Sequence, residues 1–283
     1  MSESIKQVQT TRVNSGIHKR CADSLAVEEP LEIVLLFVRD GHTVRESLSI
    51  TMRTPGNDHA LVLGFLFTEG VIRSSDDVID ISHRGSEALK HGDSNVIQVT
   101  LAAHVQVDTG RLQRNFYVSS SCGVCGKASL EALEAIGAQP ILGDNFHCHE
   151  SVIHSLTDKL ATHQALFHST GGTHAAAAFT PKGELLNLHE DVGRHNAMDK
   201  LLGSLLRQKR TDFNSLGVVV SARASFELLQ KAAMAGFPVL VAVGAASSLA
   251  VELAEEFEIT LIGFNRDNSF NLYTRADRIR HLE

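Results

Sequence analysis

The sequence predicts an α/β protein in which a regular C-terminal domain follows a smaller mixed N-terminal one. Beyond residue 150, short continuous apolar runs alternate with segments of helical period, a pattern typical of strands in a parallel sheet with helices on both faces. Between residues 31 and 102, β-branched and aliphatic runs surround a single helical segment. The composition, 43% hydrophobic and 21% charged, is that of an ordinary globular protein.

The N-terminal part begins with a polar, aperiodic stretch, for which we predict a flexible tail over residues 1–29. A hairpin follows, because Asp40-Gly41 between two apolar runs is a strong turn signal. The next helix has Asp58 as its N-cap and ends at Gly70. The predicted elements are strands at 31–38 and 43–50, a helix at 58–69, and strands at 96–102 and 115–119. They define an α+β domain over residues 30–145, which ends with a Cys-x-x-Cys loop and the helix after it.

The C-terminal domain is predicted over residues 146–283 from an ordered series of helices and strands. Its elements are a helix at 151–167, strands at 173–179 and 184–188, a helix at 191–206, a strand at 216–220, a helix capped by Ser225 and ended by Gly236, a strand at 239–243, a helix at 247–257 and a strand at 259–264. Right-handed crossovers are expected between the parallel strands. This order resembles the layout of the cytidine-deaminase-like fold, which implies a three-layer α/β domain.

Charge and hydropathy exclude several classes of protein. The formal net charge of -7 argues against a nucleic-acid partner, which would require clustered positive charge. No apolar run approaches the roughly 18 to 20 residues that cross a bilayer, and the polar start lacks the apolar core of a signal peptide. We therefore expect a cytoplasmic protein with no membrane partner, whose four cysteines are free thiols rather than a disulfide framework.

The cytidine-deaminase-like layout raises the question of a metal, and the sequence argues against one. Zinc deaminases bind the ion with a His or Cys at the second helix and a Cys-x-x-Cys at the third. His189 and Glu190 lie near the predicted second helix, but residues 221–225 at the third contain no cysteine. His189 and His195 are six residues apart, so they do not form the His-Glu-x-x-His pattern of zinc proteases. We expect no metal of the protein's own.

The start of the predicted second helix has two interpretations. Asp191 and His195 are four residues apart and share a helix face, which suits an N-capping Asp and a surface pair. Alternatively, the charged and imidazole side chains crowded there form a substrate site, since a helix N-terminus favours anions. The sequence supports the two interpretations equally.

Cys122 and Cys125 form a Cys-x-x-Cys pair in a glycine-rich turn ahead of a predicted helix. Half of a zinc site is a minority interpretation, because the other two cysteines stand alone. A redox dithiol is weakened, because thioredoxin-like motifs have another sequence context. A thiol on a flexible loop near a helix N-terminus is nucleophilic, as sulfane-sulfur transfer requires. This third interpretation is favoured.

Five separated motifs resemble, in the same order, those of the FdhD-type sulfurtransferases, which are accessory proteins for formate dehydrogenase. The motifs are SCGVCG, GGTHAAAAF, HEDVGRHNAMDKLLG, SARASFELLQKAAMAG and LIGFNRDNSFNLYT. The likeness covers residues 30–273. It implies a homodimeric sulfur carrier that accepts persulfide sulfur from a cysteine desulfurase. It also implies delivery of that sulfur to the molybdenum (or tungsten) bis-molybdopterin guanine dinucleotide cofactor, which formate dehydrogenase needs for activity.

The resemblance implies roles for particular residues. Cys122 matches the family's persulfide-bearing cysteine, and Cys125 matches its partner. The residues that match the cofactor-binding segment are Phe264, Asn265, Arg266, Asp267, Asn268 and Ser269. They follow the carboxyl end of a predicted parallel strand, where open α/β sheets place ligands. The segment departs from the family pattern because it lacks the glycines that many members carry there.

The cofactor's pyrophosphates would bind to arginines and helix N-termini beside this segment. The candidates are the arginines Arg194, Arg223 and Arg266, of which Arg223 is a weaker one, as are Ser221 and Ser225 beside it. Thr173 and His174 are further candidates, although a hydrogen-bonded core histidine is the favoured interpretation of His174. Two rival functions stay open at this point. One is a chaperone that holds the cofactor without moving sulfur, and the other is a divergent zinc hydrolase.

Overall fold

The computed structural model describes residues 4–84, 95–108, 133–134, 137–143, 146–210 and 212–281. Over these residues the chain forms an N-terminal hairpin, a four-stranded sheet, a six-stranded sheet and one short strand pair. The predicted strand at 115–119 and the pair Cys122 and Cys125 lie outside the described residues.

The prediction of a flexible tail over residues 1–29 is wrong, because most of this stretch is a β-hairpin. Strand β1 (Ile5–Asn14) pairs antiparallel with β2 (Ile17–Ala26) along its whole length. Ser15 and Gly16 between them have φ of 47° and 83°, as a type I′ turn requires. The outer half of the hairpin is exposed on both faces, so its strands do not need alternating apolar residues. The sequence pattern that predicts a strand is therefore absent there.

The N-terminal domain is a sheet with one helix packed against it. Its elements are β3 (Glu29–Arg39), β4 (His42–Arg53), α1 (Asp58–Thr68), β5 (Val78–His83) and β6 (Val96–Leu101). The strand order is β4-β3-β6-β5, with β3 parallel to β6 and the other pairs antiparallel. Leu31, Ile33 and Leu35 of β3 share a buried core with Leu61 and Leu66 of α1. The predicted hairpin, helix and strand at 96–102 are confirmed.

The start of α1 differs from the prediction, because Asp58 is not its N-cap. Asn57 precedes the helix in the left-handed conformation, with φ 59°, and its side chain makes no capping bond. Asp58 is buried, and its two carboxylate oxygens each accept a hydrogen bond from Arg53 at 3.0 Å. This bidentate pair fixes the end of β4 to the first turn of α1.

The C-terminal domain follows the predicted α/β class, with a parallel centre and antiparallel edges. A short parallel pair joins β7 (Cys148–His149) to the last strand, β14 (Ile279–Arg280). The main strands are β8 (His174–Phe179), β9 (Leu185–Asp191), β10 (Gly217–Val220), β11 (Val239–Ala242), β12 (Thr260–Arg266) and β13 (Ser269–Leu272). Their order is β13-β12-β11-β10-β8-β9. The neighbours β10, β11 and β12 are parallel, as predicted. The hairpins β8–β9 and β12–β13 and the pairing of β8 with β10 make the flanks antiparallel.

Helices on both faces of this sheet give the three layers of the cytidine-deaminase-like layout. They are α2 (Glu150–His163), α3 (Ala165–Thr170), α4 (Arg194–Arg207), α5 (Phe226–Ala235) and α6 (Ser248–Glu256). Helices α4, α5 and α6 share one buried core, and α2 contributes to the core on the opposite face. Two boundaries differ from prediction. The helix expected at 151–167 is divided at Gln164, and α4 begins at Arg194 rather than at residue 191.

Helices α1 and α4 cross at a pair of glycines and join the two domains. A Cβ atom on Gly64 would lie 1.9 Å from the carbonyl oxygen of Asp199, and one on Gly203 would lie 1.8 Å from that of Ala60. Real side chains do not tolerate such distances, so the crossing requires that neither residue has a side chain. The two helix backbones are therefore in direct contact.

We expect Gly203→Ala to lower the free energy of unfolding by about 3 kcal/mol, because its methyl group forces the two helices apart. This exceeds the gain of about 1 kcal/mol that alanine brings to a helix. Denaturant unfolding followed by circular dichroism measures the change. Gly172→Ala is the matched control, since its Cβ would meet Ala26 Cβ at an ordinary 3.5 Å. Unchanged stability of Gly203→Ala would contradict the backbone contact.

Candidate functional site

The loops that follow β10, β11 and β12 meet at the carboxyl edge of these parallel strands. The amide of Val243 donates to the carbonyl of Val220, and the amide of Gly244 to that of Ala222, both at 3.1 Å. The amide of Phe264 donates to the carbonyl of Gly244 at 2.9 Å. These bonds hold the three loops as one surface, which we call the carboxyl edge. Open α/β sheets bind their ligands at this position.

The predicted cofactor segment, residues 264–269, lies at the carboxyl edge as a tight hairpin. Its first three residues end β12, and Ser269 begins β13. Asp267 and Asn268 between them have φ of 52° and 53°. Both central residues of a type I′ turn need positive φ, which Asp and Asn tolerate better than most residues. The turn therefore forms without glycine, which accounts for the departure from the family pattern.

The side chains of this segment divide into an anchored one and an exposed group. Asn265 is buried, and its amide donates to the carbonyl of Ile153 at 2.8 Å and to Thr157 Oγ1 at 3.1 Å. Its side chain therefore attaches the hairpin to α2, and its amide hydrogens are already used. The exposed residues are Arg266, Asp267, Asn268 and Ser269.

Phe264 combines a strained backbone with a half-buried ring. Its φ of 54° is rare for a bulky residue. The guanidinium carbon of Arg266 lies 5.8 Å from the centre of the Phe264 ring, within reach of a cation–π contact. An aromatic face beside a guanidinium is suited to stacking on a nucleobase and pairing with a phosphate.

A cluster of one arginine and two histidines lies at the start of α4, next to the start of α5. Arg194 Nε is buried and has no hydrogen-bond acceptor among the described residues. His195 Nε2 lies 3.8 Å from Glu227 Oε2. Burial, and to a smaller extent the nearby Arg194, lowers the pKa of His195 to about 4, and the same two causes lower the pKa of His174. Both imidazoles are then neutral at pH 7, so the cation of the cluster is Arg194, whose unpaired donor suits an anionic ligand.

The loop after β10 connects this cluster to the carboxyl edge. The hydroxyl of Ser221 accepts from the amide of Ala175 at 2.9 Å, so it has a structural role next to His174. Arg223 is exposed, and its backbone packs closely against Gly244. A Cβ atom added to Gly244 would lie 3.0 Å from the Cα atom of Arg223. Ser225 is the N-cap of α5, as predicted, but its side chain makes no capping bond. Among these predicted residues, Arg223 is the one with a side chain open to solvent.

The interpretation of Asp191 as an N-cap paired with His195 on the surface is wrong. Asp191 ends β9, is fully buried, and lies 2.7 Å from Lys200 Nζ. Its other contacts include the amide of Thr54 at 3.1 Å, and Lys200 also donates to the carbonyl of Thr54 at 2.8 Å. The pair therefore joins β9 and α4 to the segment that precedes α1 in the N-terminal domain.

Further polar residues of α4, which the sequence analysis missed, complete this joint. Asn196 donates to the carbonyl of Met52 at 2.7 Å. Asp199 lies 2.8 Å from Lys231 Nζ of α5. Burial raises the pKa of Asp199 to about 6, although the charge of Lys231 opposes the shift. A signal was present, because Asn196, Asp199 and Lys200 are spaced i, i+3 and i+4 within an apolar helix and so share one face.

Glu190 and Thr173 are engaged in local structure. The carboxylate of Glu190 accepts from the amides of Leu166 and Phe167, each at 2.8 Å, at the start of α3. Thr173 Oγ1 donates to the same carboxylate at 2.9 Å. The predicted anion site at the start of the second helix is thereby reduced to Arg194 and the histidines beside it.

His189 lies apart from the carboxyl edge and lines a cavity of about 270 Å³ between the two domains. Asn57, His163 and Lys200 also line this cavity. Burial, followed by the charge of Lys200, lowers the pKa of His189 to about 4. Its imidazole is neutral at pH 7, and protonation of this ring opposes the folded state.

Two of the four cysteines, Cys21 and Cys148, lie in the described part of the chain, and both are free thiols. Burial raises the pKa of Cys148 to about 12, so this residue does not supply a nucleophilic thiolate. Within the described ranges, no three His, Cys, Asp or Glu side chains are grouped as a metal ion would require. No helix in the same ranges is long and apolar enough to cross a membrane.

Fold and site together define an α/β protein with the cytidine-deaminase-like layout and a candidate anion site at its carboxyl edge. The chain belongs to the FdhD/NarQ family, whose model matches residues 26–280. It is 46% identical over 272 residues to the sulfur carrier protein FdhD of Mycolicibacterium paratuberculosis, with 96% of this chain and 97% of the relative covered. It is 42% identical over 275 residues to the sulfur carrier protein FdhD of Sulfolobus acidocaldarius, with 97% and 98% covered.

A crystal structure from Desulfotalea psychrophila, described as that of a formate dehydrogenase accessory protein, has a similar fold. The TM-score is 0.74 at 23% sequence identity, and the comparison covers 98% of this chain and 100% of the other. At this identity the likeness establishes the fold. The family assignment rests on the sequence matches.

We expect the wild-type protein to lose stability relative to His189→Gln as the pH falls from about 6.5 towards 4. The folded-state pKa of His189, about 4, is below its unfolded value of 6.5, so the unfolded chain takes up the proton first. The stability that neutral His189 contributes is therefore present above pH 6.5 and is lost through this window. Denaturant unfolding across the window measures the difference, with the exposed His42→Gln as control. A difference that does not vary with pH would contradict the assignment.

Proposed function

We propose that this protein is a sulfur carrier that supplies sulfur to the cofactor of formate dehydrogenase. In this proposal it accepts persulfide sulfur from a cysteine desulfurase and delivers it to the molybdenum (or tungsten) bis-molybdopterin guanine dinucleotide cofactor. The names of its relatives support the sulfur-carrying role, since sulfur carrier proteins match it at 42% and 46% identity over nearly the whole chain. The observation that carries the cofactor-binding part is the buried, unpaired donor of Arg194 at the carboxyl edge.

The sulfur is proposed to be carried on Cys122. Its thiolate attacks the outer sulfur of the desulfurase persulfide and forms a new S–S bond, while the S–S bond within the desulfurase breaks and its cysteine leaves as a thiolate. In the sequence this thiol is followed by Gly123, and Cys125 by Gly126, glycine being the residue type with the fewest backbone restrictions. Cys148 is unsuited to this step, because burial keeps it as a thiol.

The guanine dinucleotide is proposed to bind along the carboxyl edge as the substrate of the transfer. Arg194, Arg223 and Arg266 would pair with its pyrophosphate oxygens, which charge-assisted hydrogen bonds favour. The ring of Phe264 would stack on the guanine base. Three arginines along one edge explain how a chain of net charge -7 could hold an anion.

A chaperone that holds the cofactor without moving sulfur is the second candidate function. It is favoured by one observation, since the described groups of the carboxyl edge are arginines, other polar side chains, an aromatic ring and backbone amides, none of which transfers sulfur. The two functions share the ligand and differ in their need for Cys122 and Cys125. A zinc hydrolase is not favoured, because residues 221–225 supply no thiolate where deaminases bind zinc.

Incubation with a cysteine desulfurase and free cysteine is expected to add about 32 Da, the mass of one sulfur, to Cys122. Mass spectrometry of the intact protein and its peptides locates the adduct. Cys122→Ala should abolish the adduct. Cys21→Ala should retain it, and it is the control because Cys21 is the partly accessible thiol of the two described ones. Full formate dehydrogenase activity in cells that carry Cys122→Ala with Cys125→Ala would instead support the chaperone.

GDP, used as a probe for half of the dinucleotide, is expected to bind the wild-type protein and to bind Arg194→Gln about tenfold or more weakly. The reason is the loss of a charge-assisted hydrogen bond to the phosphates. Isothermal titration calorimetry measures both constants. Arg210→Gln is the matched control, because this exposed arginine follows the opposite end of α4. Equal affinity of Arg194→Gln and wild type would remove Arg194 from the site.

A further inference from the structure

The outer half of the N-terminal hairpin projects from the body of the protein. We call residues 11–20 the distal arm, and every residue in it is exposed. The inner half is different, because Ile5, Val8, Cys21 and Ala26 are partly buried. A ten-residue strand is about 33 Å long, so the distal arm extends roughly half that distance into solvent. A two-stranded hairpin without a covered face is marginally stable in water, so a partner that covers this arm would stabilise it.

The charges of the distal arm identify the chemistry of that partner. The arm carries Arg12, Lys19 and Arg20 together with His18, and it has no acidic residue. Arg12 lies directly opposite Lys19 in the strand register. Like charges in such a pair destabilise a hairpin. Among the described residues none of the three cations has an ion-pair partner within 4 Å, so an acidic surface would complement them.

The tip of the distal arm adds exposed apolar surface to this charge. Val13 is 58% exposed and Ile17 is 72% exposed. They flank the turn, at the point that a docking partner would meet first. Apolar side chains at an exposed tip beside cations are suited to contact with a partner surface.

Helix α6 provides an acidic surface of matching kind on the same chain. Glu252, Glu255 and Glu256 are exposed on it, and the helix contains no Lys, Arg or His. In the described part of the chain none of these three carboxylates lies within salt-bridge distance of a cation. The helix thus has a surplus of negative charge, in a protein whose formal net charge is -7.

We propose that the distal arm of one copy of this chain binds the acidic face of α6 on a second copy. Charge complementarity between the two surfaces carries the proposal. In a two-fold symmetric dimer the contact occurs twice, because each copy supplies one arm and one α6. The proposal concerns assembly and does not depend on sulfur transfer.

Sedimentation velocity over a concentration series, with the full-length protein, tests the proposal. Arg12→Glu combined with Lys19→Glu is expected to raise the dimer dissociation constant about tenfold or more. Glu252→Lys combined with Glu255→Lys should do the same. The protein that carries all four changes should regain most of the wild-type affinity, because the two surfaces have exchanged charge. Lys182→Glu, an exposed change on the β8–β9 turn, is the control and should leave the constant unchanged.

A second pair of changes separates loss of contact from loss of the hairpin. Val13→Ser with Ile17→Ser removes the apolar tip without altering charge, and it should also weaken the dimer while far-UV circular dichroism stays as in wild type. A monomeric wild-type protein, or a dimer that the arm changes leave intact, would overturn the proposal. Failure of the four-fold variant to recover would equally overturn it, since the arm would then bind another surface.

Discussion

The direct contact between the backbones of α1 and α4 is the constraint on which the rest of the structure depends. It exists because Gly64 and Gly203 meet at the crossing, where no larger residue fits. Helix α4 begins at Arg194, so the contact that positions this helix also determines where the candidate anion site lies. The N-terminal domain therefore influences the candidate site through the position of α4. It supplies no described side chain to the cluster of Arg194 and the two histidines.

Two buried ion pairs specify where along α4 this contact falls. Buried pairs contribute little net stability, because desolvation offsets the Coulomb attraction, and the raised pKa of Asp199 beside Lys231 reflects that cost. Their role is better understood as specificity. Lys200 donates to both Asp191 and the carbonyl of Thr54, an arrangement that a shift of one helical turn would break. Glycines allow close approach at a crossing, and the ion pairs then select one register from those that the glycines would permit.

Features encoded locally could be predicted from the sequence, and those that depend on distant partners could not. The turn at Asp40-Gly41 and the apolar strands β10 and β11 follow from short-range patterns. One of the two interpretations of Asp191, a helix cap, is wrong because spacing alone cannot reveal a partner such as Thr54, which lies 137 residues away. The N-terminal hairpin was missed because its arm buries neither face, and β13 because the Asp267-Asn268 turn contains no glycine. The position of the carboxyl edge was predicted, but not the division of its residues between anchoring and exposure.

The division between anchored and exposed residues has a physical reason. An exposed residue holds an unusual conformation only when its neighbours along the chain are fixed by hydrogen bonds. The positive φ of Phe264 costs on the order of 1 to 3 kcal/mol. Such a conformation persists only where the surrounding structure holds it in place. Its amide is bonded to Gly244, and the next residue, Asn265, is bonded to α2. In α4 the same reason applies, because the unpaired Nε of Arg194 is held next to Asn196, which is bonded to the carbonyl of Met52 in β4. A change at an anchor would move the neighbouring exposed group, so loss of ligand binding there need not mean that the anchor touches the ligand.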